Sequence, residues 1–336
     1  MPARTRLVVG ALVVLALVVA GVVVTVGRTS PSPPTGGSLT LARAGESPGA
    51  AALLDPANAD VDWGAVDSIR SVRPLPRDAK QDRPALYAEG CQVLAGDAVP
   101  KVCVDGDRDA ERTVMLIGDS KIGQWQTAFA NLGRREHWRV LSSTKSACAF
   151  TDADMTSGGK AFTDCREWGR AALADALRIK PDVVVTSQVH DTAVVDGKRS
   201  KGAMVRGLQR YWEKLQAAGI QVVVLLDNPM PTSHPTYQCV EDHPGDLTRC
   251  AYELAGPLAE SSAPVQRAAA EATPGVGVVD MAPAYCPGLQ RCPAVICRVL
   301  VYRAGSHLTK TFTVSAQRQL ARQLAAATDG ALTRNR

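Results

Sequence analysis

Val114-Met115-Leu116-Ile117-Gly118-Asp119-Ser120-Lys121-Ile122-Gly123-Gln124-Trp125 places an apolar run, a Gly-Asp-Ser turn and the start of a new periodicity in one short stretch. Four bulky apolar residues in succession predict a short strand covered on both faces, and apolar positions over Ile122–Leu132 predict a helix. Further along the chain the alternation continues. Val140–Ser142 reads as a strand, Glu167–Leu177 as a helix, Val183–Thr186 as a strand, Met204–Ala217 as an amphipathic helix and Gln221–Leu226 as a strand. Ala251–Ala272 is helical in composition; the strand Val276–Val279, the hydrophobic stretch Val295–Tyr302 and a last helix from Thr309 to Ala325 follow. Strands that alternate with helices pair in parallel and are covered on both faces. The predicted architecture is a flavodoxin-like three-layer α/β/α sandwich with a parallel sheet, and in such sheets sites form beyond the carboxyl ends of the strands.

Upstream of this region the chain changes character. At 336 residues, 46% hydrophobic and 21% charged, it has room for one large domain with appendages or for two small ones, and it is too apolar to be disordered throughout. The net charge of +5 comes from interspersed rather than blocked residues, which argues against a dedicated nucleic-acid binder. Arg4 and Arg6 precede an uncharged apolar run from Leu7 to Gly27. At about 1.5 Å per residue such a run spans the roughly 30 Å hydrocarbon core of a bilayer. It is longer than the apolar core of a cleaved signal peptide, the alternative, and it lacks a clear small-x-small cleavage site. The expectation is a single-pass anchor with the N-terminus cytoplasmic and the main domain extracytoplasmic. Ser30–Gly37, SPSPPTGG, reads as a flexible tether. The organisation expected is anchor 1–28, linker and lead-in 29–88, α/β sandwich domain 89–328 and tail 329–336.

Ser120 sits where a site is expected, at the end of a strand and the start of a helix. The amide of Lys121 at that helix N-terminus could stabilise an oxyanion. The plainer alternative is an N-cap, because Asp and Ser are favoured at helix starts. A serine nucleophile needs a base, and there are five histidines: His137, His190, His234, His243 and His307. His137 follows a helical stretch beside Trp138, His190 reads as a loop residue, and His234 and His243 fall in a Pro-rich, cysteine-bounded loop. His307 follows the last hydrophobic stretch and precedes the last helix, so its imidazole can reach the carboxyl edge of the sheet.

Together these residues resemble the SGNH (GDSL-type) hydrolases, and more closely the extracytoplasmic SGNH domain fused to acyltransferase family 3 membrane proteins. The pieces that carry the resemblance are the Cys91 to Cys103 loop, Gly118 to Trp125, Lys145-Ser146-Ala147-Cys148, Cys286-Pro287 through Cys292-Pro293, and Tyr302 to Thr309. It extends from about Leu75 to Leu324. The resemblance implies acyl transfer or ester hydrolysis with Ser120 as nucleophile and His307 as base. Two positions depart from the family pattern. Lys121 stands where His is common, and Ala304 stands where the family places the Asp of the triad. Loss of that acid costs a serine protease about 10⁴ in turnover. Three arrangements remain open: a Ser120–His307 dyad oriented by a backbone carbonyl, a substitute acid such as Asp191 or Asp227, or a fold retained without catalysis. The family's further oxyanion donors are not recognisable as blocks; Ser143, Ser187 and Gln188 occupy the corresponding loops.

The nine cysteines belong with an oxidising compartment. Short spans and the family's habit pair Cys91 with Cys103, Cys148 with Cys165, Cys239 with Cys250 and Cys286 with Cys292, leaving Cys297 as a spare thiol. The rival for one pair is a zinc site of His234, Cys239, His243 and Cys250, whose spacing matches no compact zinc motif. No metal and no cofactor are expected, and no Gly-rich phosphate loop is present. The expected activity is O-acyl transfer to, or ester hydrolysis of, a cell-envelope glycan, with any acyl donor delivered by a separate integral-membrane acyltransferase. The competing expectation is a non-catalytic glycan-binding or accessory module.

Overall fold

The computed structural model describes residues 47–332 apart from Arg70 and 232–235. A seven-stranded sheet organises them: β1 (Gln92–Val93), β2 (Cys103–Gly106), β3 (Thr113–Gly118), β4 (Arg139–Lys145), β5 (Val183–Ser187), β6 (Gln221–Leu225) and β7 (Gly277–Val279). The strand predicted at Val114–Ile117 is buried at every position of β3, as a strand covered on both faces must be. Strands β3 to β7 run parallel in the order β4-β3-β5-β6-β7, while β1 joins β4 in parallel and β2 joins it antiparallel. In chain order of the parallel core this is second, first, third, fourth, fifth, the flavodoxin-like arrangement. Connections leave in opposite directions from β3 and β5, and the crevice opens at their carboxyl ends.

The helices include α1 (Ser120–Gly123), α2 (Gln126–Glu136), α3 (Thr163–Ile179), α4 (Lys201–Ala217), α5 (Ala263–Glu271), α6 (Lys310–Ser315) and α7 (Gln317–Ala327). Met115, Ile117, Val184, Val222 and Val224 share one core with Trp168, Leu208, Trp212 and Ala269 of α3, α4 and α5. Val114 and Leu116, equally buried, alternate to the opposite face, where α2, α6 and α7 pack together. The three layers are those the sequence predicts.

Three stretches differ from the sequence expectation. The helix expected over Ile122–Leu132 is two helices, broken at Gln124–Trp125, where the Gln124 side chain turns inward to bond Asn228 and Leu308. Ala251–Ala272 is also divided, into a short strand, a one-turn helix at Ala255–Ala259 and α5, with the buried Ser261–Ser262 pair between the last two. The hydrophobic stretch Val295–Tyr302 adds no strand to the main sheet. Cys297 and Arg298, at φ 40° and 69°, turn it back on itself, so Val295–Ile296 pairs with Val299–Leu300. A second hairpin joins Tyr302–Ala304 to His307–Leu308 around Gly305.

Residues 47–88 form short 3-10 turns laid over the sheet domain. The Gly49 amide bonds the Cys297 carbonyl, and Ser315 Oγ accepts from Ala50 N at 2.9 Å. Among the described residues no helix is long and apolar enough to cross a membrane. The apolar run Leu7–Gly27 and the tether lie outside the described residues.

Candidate active site

The turn that delivers Ser120 depends on Gly118, which ends β3 at φ 150°. A Cβ there would run into the Ser187 carbonyl oxygen of the neighbouring strand, so only glycine lets β3 and β5 approach and the chain swing upward. Asp119 is fully buried and caps α1: its carboxylate accepts from Lys121 N and from Val189 N, both at 2.8 Å. It thereby ties the loop after β3 to the loop after β5. Burial lifts its carboxyl to about 7, opposed by the two amides and helped by the charge of Asp227.

His307 reaches the same edge from the Tyr302–Leu308 hairpin. Its Nε2 lies 2.8 Å from Ser120 Oγ, and its Nδ1 lies 3.3 Å from the carbonyl oxygen of Ala304. A carbonyl can only accept, so Nδ1 carries the proton and Nε2 is left to receive one from Ser120. Burial, then the cations Lys121 and Arg303, pull the imidazole down to about 3. It is therefore neutral at physiological pH, as a base must be, and against these effects stands the Ala304 carbonyl, which favours the charged form. The group at Nδ1 is thus a backbone carbonyl and not a carboxylate.

The two candidate substitute acids are engaged elsewhere. Asp227, at the end of β6, sits 2.8 Å from Lys121 Nζ, and both side chains are completely buried. Asp191 pairs with Lys201 at 3.1 Å and Arg199 at 3.5 Å. Among the described residues neither carboxylate bonds His307; each is paired with cations. Lys121 instead supports the histidine hairpin from beneath: Nζ donates to the Ser306 carbonyl at 3.1 Å, and Asn228 Nδ2 donates to the same oxygen at 2.6 Å. Gln124 completes this floor, donating to Asn228 Oδ1 and accepting from Leu308 N, each at 2.8 Å.

The expected oxyanion donors fare differently from one another. The Lys121 amide is occupied by Asp119, whereas the Ser120 amide, first in its helix, has no intrahelical partner. Ser143 is buried on β4 beside Ile117, and its hydroxyl has no partner among the described residues. The side chains of Ser187 and Gln188 are bound by Gln266 and to the His190 carbonyl, at 3.3 and 2.9 Å. The sequence reading did not single out Asn228, Gln124 as a bridge, Tyr87 or Arg303. Asn228 follows a strand end, a position that could have drawn attention; the others carry no local signal.

The four disulfides are Cys91–Cys103, Cys148–Cys165, Cys239–Cys250 and Cys286–Cys292, with Cys297 free and buried. Cys239, Cys250 and His243 do lie together, but the two sulfurs are bonded to each other and so are not thiolate ligands. His234, the fourth member of that set, lies outside the described residues.

Residues 90–322 match the family described as the SGNH domain fused to AT3 domains, and the chain belongs to that family. Similar solved structures include the periplasmic domain of a lipopolysaccharide acetyltransferase from Salmonella ser. Paratyphi A, with 14% identity, 71% of this chain and 88% of that one covered, and a TM-score of 0.47. A GDSL-like lipase from Bacteroides thetaiotaomicron has 14% identity, covers 64% of this chain and 89% of its own, and has a TM-score of 0.37. No curated protein matches the chain in sequence.

Proposed function

We propose that the protein is a membrane-anchored, extracytoplasmic O-acyltransferase or acyl esterase acting on a cell-envelope glycan through an acyl-enzyme on Ser120. The observation that carries this is the 2.8 Å approach of His307 Nε2 to Ser120 Oγ, with Nδ1 oriented by the Ala304 carbonyl. Nε2 takes the hydroxyl proton as Oγ bonds the acyl carbonyl carbon, and the oxyanion faces the Ser120 amide. The bond to the leaving alcohol breaks, and the imidazolium returns its proton to that oxygen. A sugar hydroxyl or water then gives a proton to Nε2 and attacks the acyl-serine; collapse releases the ester or acid and restores Ser120. Transfer and hydrolysis differ only in which hydroxyl arrives. A separate integral-membrane acyltransferase would present the acyl group from across the bilayer.

A second reading, a non-catalytic glycan-binding or accessory module, is favoured by Ala304, which leaves the imidazolium without a carboxylate. Labelling of the full chain with a fluorophosphonate separates the two. The expected result is labelling of the wild type, none of Ser120→Ala, and a large reduction in His307→Ala. A wild type that neither labels nor cleaves acetyl esters is the accessory module. Ala304→Asp is expected to raise the ester-cleavage rate by about tenfold or more, toward the contribution a triad acid makes.

A further inference from the structure

Beside the Ser120–His307 pair stand two arginines, Arg83 and Arg303, that form no ion pair among the described residues, although the charge of Asp82 reaches Arg303. Arg303 stands immediately before Ala304 in the histidine hairpin and is nine-tenths buried, at 9% exposure. Its guanidinium lies over the Tyr87 ring, 5.5 Å from the centroid, and Arg83 lies over the same ring at 5.7 Å. Tyr87 borders the nucleophile's helix: its hydroxyl would be 3.8 Å from a Cβ placed on Gly123, one turn after Ser120. Tyr87 and Arg303 hydrogen-bond each other, the guanidinium donating to the phenol oxygen, and Arg303 Nε is buried with no acceptor among the described residues.

The nearby carboxylates are spoken for. Asp82 accepts from Thr311 N at 2.8 Å and pairs with Lys310 at 3.5 Å. Asp119 accepts two amides, and Asp227 holds Lys121. Stacking on an aromatic ring offsets part of the cost of a buried guanidinium but satisfies none of its N–H groups. A phenol that accepts from Arg303 keeps its own O–H to give, and Arg303 keeps a buried N–H without an acceptor, so the pair is complementary to an oxyanion.

We propose that Tyr87 and Arg303, flanked by Arg83, form a subsite for an anionic group, a carboxylate or phosphate, carried by the ester substrate. The subsite rests on the acyl-transfer reading of Ser120 and His307 and adds to it the charge of the substrate. It also bears on the missing acid: an anion over Arg303 neutralises one of the two cations that disfavour a charged His307. The substrate then brings in part of the negative charge that Ala304 does not supply.

The test compares pairs of esters that differ in one charge, using the full chain in nonionic detergent. Para-acetoxybenzoate against its methyl ester puts the charge on the alcohol side, and para-nitrophenyl hydrogen adipate against its methyl ester puts it on the acyl side. Wild type is expected to favour the charged member of one pair by about tenfold in kcat/KM, the scale of a charge-assisted hydrogen bond. Which pair shows it locates the anion. The ratio should fall to about one in Arg303→Met and lie between in Arg303→Lys, and as a ratio within one variant it is insensitive to partial loss of folded protein. Equal rates within both pairs, or a preference that survives Arg303→Met, overturn the subsite. A second measurement needs no turnover: adipate or inorganic phosphate should raise the melting temperature of wild type and not of Arg303→Met. Anion-dependent melting without Ser120 labelling would overturn the acyl-transfer reading and keep the anion site. Labelling without any response to charge would do the reverse.

Discussion

At the scale of single residues, the site is organised by who holds the charge. Lys121 replaces the family's histidine after Gly-Asp-Ser and has become a buried ammonium paired with Asp227 at 2.8 Å. A buried pair of this kind adds little over an apolar pair, yet breaking it leaves an unpaired charge. Lys121→Met is therefore expected to lower stability by about 3–5 kcal/mol in urea melts, and Lys121→Met with Asp227→Leu to recover much of that loss. A single variant as stable as wild type would show that water reaches Asp227. The pair was invisible in sequence as a pair: Asp227 was a candidate acid because it follows a strand, and Lys121 a candidate oxyanion donor because it begins a helix. Asp227 does follow a strand and Lys121 does begin a helix, and each is held by the other.

At the scale of elements, the Gly118 turn between β3 and α1 was legible because its signal is local. An apolar run, a glycine and a capping aspartate lie next to one another, and each acts through its own backbone. Gly118→Ala is expected to cost at least about 2 kcal/mol, because a Cβ at this φ meets the Ser187 carbonyl. It should also slow fluorophosphonate labelling by moving Ser120 away from His307. Unchanged melting and labelling would mean that β3 and β5 can part without disturbing the site. The Val295–Tyr302 stretch was less legible. Its apolar composition suits a sheet strand, but positive φ at Cys297 and Arg298, neither of them a residue that advertises a turn, folds it into a hairpin.

At the scale of the whole molecule, two buried groups give stability opposite dependences on pH. His307 is depressed from 6.5 to about 3, so in that interval the unfolded chain binds a proton the folded one refuses, and stability falls on acidification. Asp119 is raised from 3.8 to about 7, so its contribution is full below 3.8 and is lost as pH rises through 7. The windows overlap, and each proton is worth up to about 1.4 kcal/mol per pH unit. Urea melts at pH 7 and pH 5 should show His307→Gln gaining stability relative to wild type on acidification and Asp119→Asn losing it. Parallel behaviour of the two variants would mean that the groups titrate near their ordinary values. The same scale separates what each level of description can settle. By itself the sequence determined the alternation of strands and helices, the three layers, the Gly-Asp-Ser turn and the histidine to set beside it. These depend on periodicity and on backbone preferences within a few residues. Only the tertiary structure decided that Ala304 contributes a carbonyl rather than a missing acid, that Lys121 belongs to Asp227, and that Arg303 lies buried over the Tyr87 ring. Those outcomes depend on groups far apart in the chain, as Lys121 and Asp227 are. Burial sets their charge, and burial is a property of the packed fold rather than of any segment.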